Sequence, residues 1–234
     1  MKRVYGKIVL AAGVAMLAGG VATNADALQL TLTDLTGGDT VTIGDDDVTD
    51  AAAGLGAIAY IGDLGSWTIT STTGLSDPAI GGGGFPVMDL LSVDASGADG
   101  DQLEISLVDT WGSIESLVPM MSIFSGNFWG TSSGTATMDV YVNDVLMTSI
   151  AGGGLYGFND WATFSGDFGM PDTPLEILVT VDLGDVSGIG GVSFDANVAP
   201  VPEPATIMLV GAGLVGIAGL GRRRLKKGEA KGMV

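Results

Sequence analysis

Apolar and polar residues alternate one for one along much of this chain between residues 28 and 199. Leu28, Leu30 and Leu32 are spaced by Gln29 and Thr31, and Trp67 and Ile69 by Thr68. Leu103, Ile105 and Leu107 alternate with Glu104 and Ser106, and Met138, Val140 and Val142 with Asp139 and Tyr141. Ile177, Val179 and Val181 share one face, as do Val192 and Phe194. Successive side chains of a strand point to opposite faces, so period two with polar residues outward marks half-buried antiparallel strands. The segments are separated by Gly, Asp, Asn and Ser, which supply turns. The pattern predicts about ten strands in an all-β antiparallel β-sandwich of jelly-roll type. Helical periodicity is absent, except that Asp50–Ile61 could hold a short helix. A domain of about 170 residues can bury a core of ordinary size, which this one needs because the chain has no cysteine.

The charge of the same segment excludes whole classes of function. Residues 28–199 contain 24 carboxylates, 21 of them Asp, and no Lys, Arg or His. Their formal charge is therefore near −24, beyond the whole-chain −18. Nucleic-acid binding lacks its cations. Phosphate clamps, Schiff bases, and Ser-His-Asp or Cys-His catalysis lack their parts. His/Cys zinc sites are excluded in the same way. Spread evenly over roughly 8,000 Å², the carboxylates would lie about 18 Å apart, beyond a Debye length of about 8 Å. Net charge alone therefore does not demand a counter-ion, whereas local clusters do repel.

Two such clusters stand out. Asp45, Asp46, Asp47 and Asp50 fall within six positions, and Asp94, Asp99 and Asp101, with the Ser96 hydroxyl, read as sharing one glycine-containing turn. Oxygen-only ligands on a loop suit Ca²⁺, so a structural calcium ion is one reading. A solvated acidic turn is the other, since Asp is favoured in turns. Paired carboxylates can also hydrolyse glycosidic bonds. Glu104, Glu115 and Glu176 are the glutamates of the segment, and Glu104 and Glu176 sit at outward strand positions, where a carboxylate is ordinary. No enzyme is expected.

Of the four tryptophans, Trp67 lies in a clean strand pattern and reads as core. Trp129 and Trp161 lie beside Asn127 and Asn159–Asp160 in loop-like contexts. Aromatic faces stack on sugar rings while amides and carboxylates bond the hydroxyls, so these two are candidate glycan contacts; core plugs are the competing reading. Thr-x-Thr pairs at 31/33, 40/42, 68/70 and 135/137 are irregularly spaced and read as strand residues. Gly81–Gly84 and Gly152–Gly154 read as loops.

Both ends carry targeting segments. Lys2, Arg3 and Lys7 precede an apolar stretch, Ile8–Ala18, and Ala25-Asp26-Ala27 has the small-x-small pattern of a signal-peptidase site at Ala25 and Ala27. Residues 1–27 thus read as a signal peptide and 28–199 as the exported domain. Pro202, Glu203 and Pro204 lie in a linker, 200–206, which proline keeps extended. An apolar span at 205–221 follows, then a basic tail, 222–234, opening with Arg222, Arg223 and Arg224. Sixteen residues, Ala205–Leu220, reach about 24 Å as a helix, which arginine stems can extend towards the about 30 Å of a bilayer core. The arginines mark the cytoplasmic side.

This tail resembles the PEP-CTERM sorting signal of exported bacterial proteins, carried here by Pro202-Glu203-Pro204, the apolar span and Arg222–Arg224. The resemblance implies delivery to an exosortase at the inner membrane, in a setting of extracellular polysaccharide export. Gly65–Val108 resembles, loosely, a segment of other exported proteins of this type, which implies only a β-rich domain. The expected function is a structural or adhesive protein of the cell envelope or extracellular polysaccharide matrix. The alternative is a calcium-dependent carbohydrate-binding module, and a glycan hydrolase comes third.

Overall fold

The computed structural model describes residues 28–201, apart from 53, 81–84, 112–116, 132 and 155–156. Among the described residues, twelve strands form two six-stranded antiparallel sheets. They are β1 (Gln29–Asp34), β2 (Thr40–Gly44), β3 (Ala57–Leu64), β4 (Trp67–Leu75), β5 (Met88–Gly97) and β6 (Gln102–Trp111). The second half holds β7 (Val118–Thr131), β8 (Thr135–Val142), β9 (Val145–Gly153), β10 (Phe158–Gly166), β11 (Thr173–Asp182) and β12 (Val186–Pro200). One sheet runs β2-β1-β6-β11-β8-β9 and the other β10-β7-β12-β5-β4-β3.

From β5 onward the chain is a jelly roll. Strands β5, β12, β7 and β10 are four adjacent strands of one sheet, and β6, β11, β8 and β9 are the facing four. The two N-terminal hairpins extend it, β1–β2 on one sheet and β3–β4 on the other.

The period-two residues meet between the sheets. Leu30, Leu32, Ile105, Leu107, Met138, Val140, Ile177 and Val179 face Trp67, Ile69, Met88, Leu90, Phe124, Phe194 and Val198, all buried. Each fully buried aliphatic or aromatic side chain contributes about 1.5–3 kcal/mol, which is how the fold dispenses with disulfides. The β8–β9 turn has Asn143 and Asp144 at φ 51° and 61°, the left-handed pair that a tight hairpin requires.

The predicted helix at Asp50–Ile61 is not formed. Residues 57–61 belong to β3, with Ile58 buried, and the described residues just before it are loop. Asp50 holds this arrangement: its Oδ1 accepts from the amides of Ala52 and Ala59, both at 2.8 Å. Gly152 and Gly153 close β9 rather than forming a loop, and a Cβ at Gly152 would come 2.3 Å from the Phe158 ring.

Asp34 ties the two sheets together at one end. It is wholly buried, yet its Oδ1 accepts from Thr36 N at 2.9 Å and Gly37 N at 2.8 Å. Its Oδ2 accepts from Ser66 N at 3.0 Å and Ser66 Oγ at 3.1 Å. Burial raises its carboxyl pKa, but the amides of Gly37, Ser66 and Thr36 and the Ser66 hydroxyl outweigh it, and the net shift is downward. The β1–β2 turn is thereby clamped to the β3–β4 turn.

Candidate functional site

Alternation within β7 sends Phe124 and Phe128 inward and Ile123, Ser125, Asn127 and Trp129 outward. On β10, Phe158 packs inward against Phe124 and Phe128, with ring centroids 4.7 Å and 6.1 Å away. Its neighbours Asn159 and Trp161 consequently point out. The two tryptophans therefore lie on strands, not loops, and on the same outer sheet face. Trp129 is 44% exposed and Trp161 64%, whereas Trp67 is 1% exposed and is core, as its strand pattern predicts.

Register fixes their separation. Trp161 pairs with Ile123, and Trp129 lies six residues further along β7, about 20 Å at strand rise. Between them lie Ser125 and Asn127 on β7, Asn159 on β10, and Ser193, Asp195 and Asn197 on β12, joined by pairs Asn159↔Ser125, Ser125↔Asp195 and Asn127↔Ser193. Trp129 itself pairs with Gly191, and its indole lies against that glycine.

Asp89 on β5 pairs with Asn197 on this face. Burial pushes its carboxyl up to about 6, with the Asn197 side-chain hydrogen bond working against the shift and the Asp195 charge adding to it. Its Oδ1 is buried with no hydrogen-bond partner. Asp195 Oδ1 accepts from Ser92 N at 2.7 Å, across the bulge where β5 and β12 shift register. The surface thus offers two exposed indoles with amide, hydroxyl and carboxylate groups between them, which is the chemistry that engages the ring and hydroxyls of a sugar.

The acidic clusters are organised differently. Asp45 Oδ2 accepts from Gly56 N at 2.7 Å, Asp47 Oδ2 from Gly44 N at 2.7 Å, and Asp46 takes φ 61° in the turn. Asp45 Oδ1 and Asp50 Oδ2 are buried without a partner. Asp94 stands within β5 rather than in the turn, exposed, while Asp99 is exposed in the β5–β6 turn. Asp101 is buried, with Oδ2 accepting from Ala98 N at 2.6 Å. Among the described residues, no three Asp or Glu side chains gather where they could share a metal ion.

The carboxylate pair lies on the opposite side of the sandwich. Glu104 on β6 and Glu176 on β11 project from the outer face of the other sheet, and Glu176 Oε1 accepts from Ser106 Oγ at 2.7 Å. Burial, then the Glu176 charge, pushes the Glu104 carboxyl up. Glu115 lies outside the described residues, as do Gly81–Gly84, the expected signal-peptidase residues Ala25 and Ala27, and the tail from Pro202 through Arg224.

Sequence reasoning missed Asp34, Asp89, Asp195 and Asn197. The Asp34–Gly37 spacing of an Asx turn was a usable signal for the first. The others acquire meaning only from strand pairing.

β12 runs out to Pro200, and Val201 N still donates to Pro119 O at 2.8 Å before the chain enters its tail. Residues 200–224 match the PEP-CTERM protein-sorting motif. The PEP-CTERM motif implies an exported protein handled by an exosortase. Among the described residues no helix is long and apolar enough to cross a membrane, and the expected span lies outside them.

No curated protein matches the chain by sequence. Solved structures with a similar strand arrangement include a cellulose-binding domain from Cellulomonas fimi β-1,4-glucanase C, 10% identical, covering 48% of this chain and 80% of that one, TM-score 0.29. Another is a carbohydrate-binding module, CBM36, in complex with calcium and xylotriose, 16% identical, covering 55% and 90%, TM-score 0.23. A third is infectious bursal disease virus, Gx strain, 12% identical, covering 79% and 53%, TM-score 0.30. Likeness at this level carries no argument about function.

Proposed function

We propose that this PEP-CTERM protein is a non-catalytic polysaccharide-binding component of the cell surface or extracellular matrix. Its exosortase-directed tail delivers it there, and the jelly roll holds glycan. The observation that carries the reading is that Trp129 and Trp161, far apart in sequence, share one outer face with Asn, Ser and Asp side chains between them. Binding is favoured over hydrolysis because Glu104 and Glu176 project from the other sheet, away from the indoles. A hydrolase would need its acid and base beside the bound sugar.

The test is retention of the producing cell's own extracellular polysaccharide by the full-length protein in detergent micelles. Retention should fall sharply in Trp129→Ala and Trp161→Ala. Equal retention by both variants and the unaltered chain would remove the sheet face from any role.

A second reading, calcium in the β2–β3 loop, has its own observation. Asp45 Oδ1 and Asp50 Oδ2 are buried oxygens without a hydrogen-bond partner in one loop. Ca²⁺ takes six to eight oxygens, so backbone carbonyls and water would complete such a site. Its role would be to stiffen the loop.

A further inference from the structure

The charge and spacing of the tryptophan face restrict which glycan it can hold. We infer that the face takes an uncharged glycan chain, laid lengthwise along β7, and excludes polyanionic glycans. This rests on the glycan-binding reading above and names the ligand class of that same face.

The direction follows from where the indoles stand. Trp161 is opposite Ile123 on the neighbouring strand, one strand spacing from β7, while Trp129 is six residues along β7 itself. The offset is thus about 20 Å along the strands and only about 5 Å across them. A ligand touching both indoles runs with the strands. Residues between them are small and polar: Ser125, Asn127 and Asn159, with Ser193 and Asp195 alongside. None is large enough to form a ridge across the lane.

The exclusion follows from charge. Asp195, Asp89 and Asp94 stand on this face, on β12 and β5, and residues 28–199 supply no cationic side chain to offset them. A glycan with a carboxylate or sulfate on each unit would bring its charges within the Debye length of about 8 Å of Asp195, one strand from β7, with Asp89 and Asp94 one strand further, about 10 Å from β7, adding to the same negative field. Amide, hydroxyl and carboxylate groups suit sugar hydroxyls, with carboxylates accepting from them. An uncharged chain gains these contacts without the repulsion.

The experiment uses the full-length protein in detergent micelles with EDTA present. Its probes are hexasaccharides of neutral β-glucan, xylan and mannan, the matching disaccharides, and polyuronate hexasaccharides. Binding is read by calorimetry, and folding by circular dichroism and melting temperature. The inference expects at least one neutral hexasaccharide to bind at least tenfold more tightly than its disaccharide and than any polyuronate. It also expects Trp129→Ala and Trp161→Ala each to weaken that hexasaccharide at least tenfold, with the melting temperature held. Polyuronates bound as tightly as neutral chains, or disaccharides bound as tightly as hexasaccharides, would overturn the inference while leaving glycan binding in place. Failure of the folded protein to bind any glycan, including the producer's own polysaccharide, would overturn the glycan reading itself.

Discussion

The indole of Trp129 lies across the backbone of Gly191: a Cβ added at Gly191 would stand 2.4 Å from Cζ2 and 2.5 Å from Cε2 of the ring. The glycine is the seat on which this aromatic face rests. The same Cβ would come 2.6 Å from the Ala95 carbonyl oxygen, so the seat is closed on the β5 side as well.

Gly191→Ala should therefore lift Trp129 from the sheet. We expect a change in the emission of Trp129, assigned by comparison with Trp129→Phe, and loss of glycan retention. Overpacking at a closed site costs about 1–3 kcal/mol, so the melting temperature should also fall. An unchanged emission spectrum and unchanged retention would contradict the seating role.

The two classes of tryptophan should separate in stability. Trp67→Ala empties a core position and should cost about 3–5 kcal/mol in denaturant unfolding. Trp161→Ala removes an exposed side chain and should stay within about 0.5 kcal/mol. Similar losses for both would mean that Trp161 packs structurally and is not held out for a ligand.

Asp34→Ala removes four hydrogen bonds at a buried carboxylate and should cost about 3 kcal/mol. The sign of its pH dependence is set by the lowered pKa. The contribution is present above the unfolded value of 3.8 and is lost as pH falls through the lower folded value. Urea titrations from pH 5 down to pH 2 should show the unaltered protein losing stability more steeply than Asp34→Ala.

Asp89 has the opposite sign. With its pKa raised to about 6, the folded state binds a proton that the unfolded state does not, between about pH 6 and 3.8. Stability should rise as pH falls from 7.5 to 5. Asp89→Asn should stabilise the domain at pH 7.5 by about 1 kcal/mol, after discounting for solvent at a half-buried site, with the gain shrinking at pH 5. A variant gain that is the same at both pH values would place the effect outside this carboxyl.

Millimolar Ca²⁺ tests the β2–β3 loop. If the ion fills the site of Asp45 and Asp50, it should raise the melting temperature, and Asp50→Asn should abolish that rise. A melting temperature unmoved by Ca²⁺ returns these residues to a turn held by backbone amides.

The alternating segments made much of the fold legible beforehand. Leu103, Ile105 and Leu107, and Ile177, Val179 and Val181, are buried where period two puts them. Strand β3 was harder to read because Ile58 is the sole buried residue of its first five, and its start is fixed by Asp50 from seven residues upstream. Trp129 and Trp161 were visible as candidates from their residue type and polar neighbours. Their placement in loops was wrong because Phe128 and Phe158, which orient them, could not be seen to pack on each other.

By itself the sequence determined the strand character, the charge of the exported segment and the sorting tail. These depend on local periodicity, composition and a contiguous motif. Which faces carry what was decided only by the tertiary structure. β10 and β12 reach β7 from distant parts of the chain, and it is their register that sets Asn159, Asp195 and Gly191 beside Ser125 and Trp129. A one-residue slip in either pairing would turn the polar side chains inward and the core residues out. Register therefore depends on burial across the whole sandwich, and no single segment encodes it.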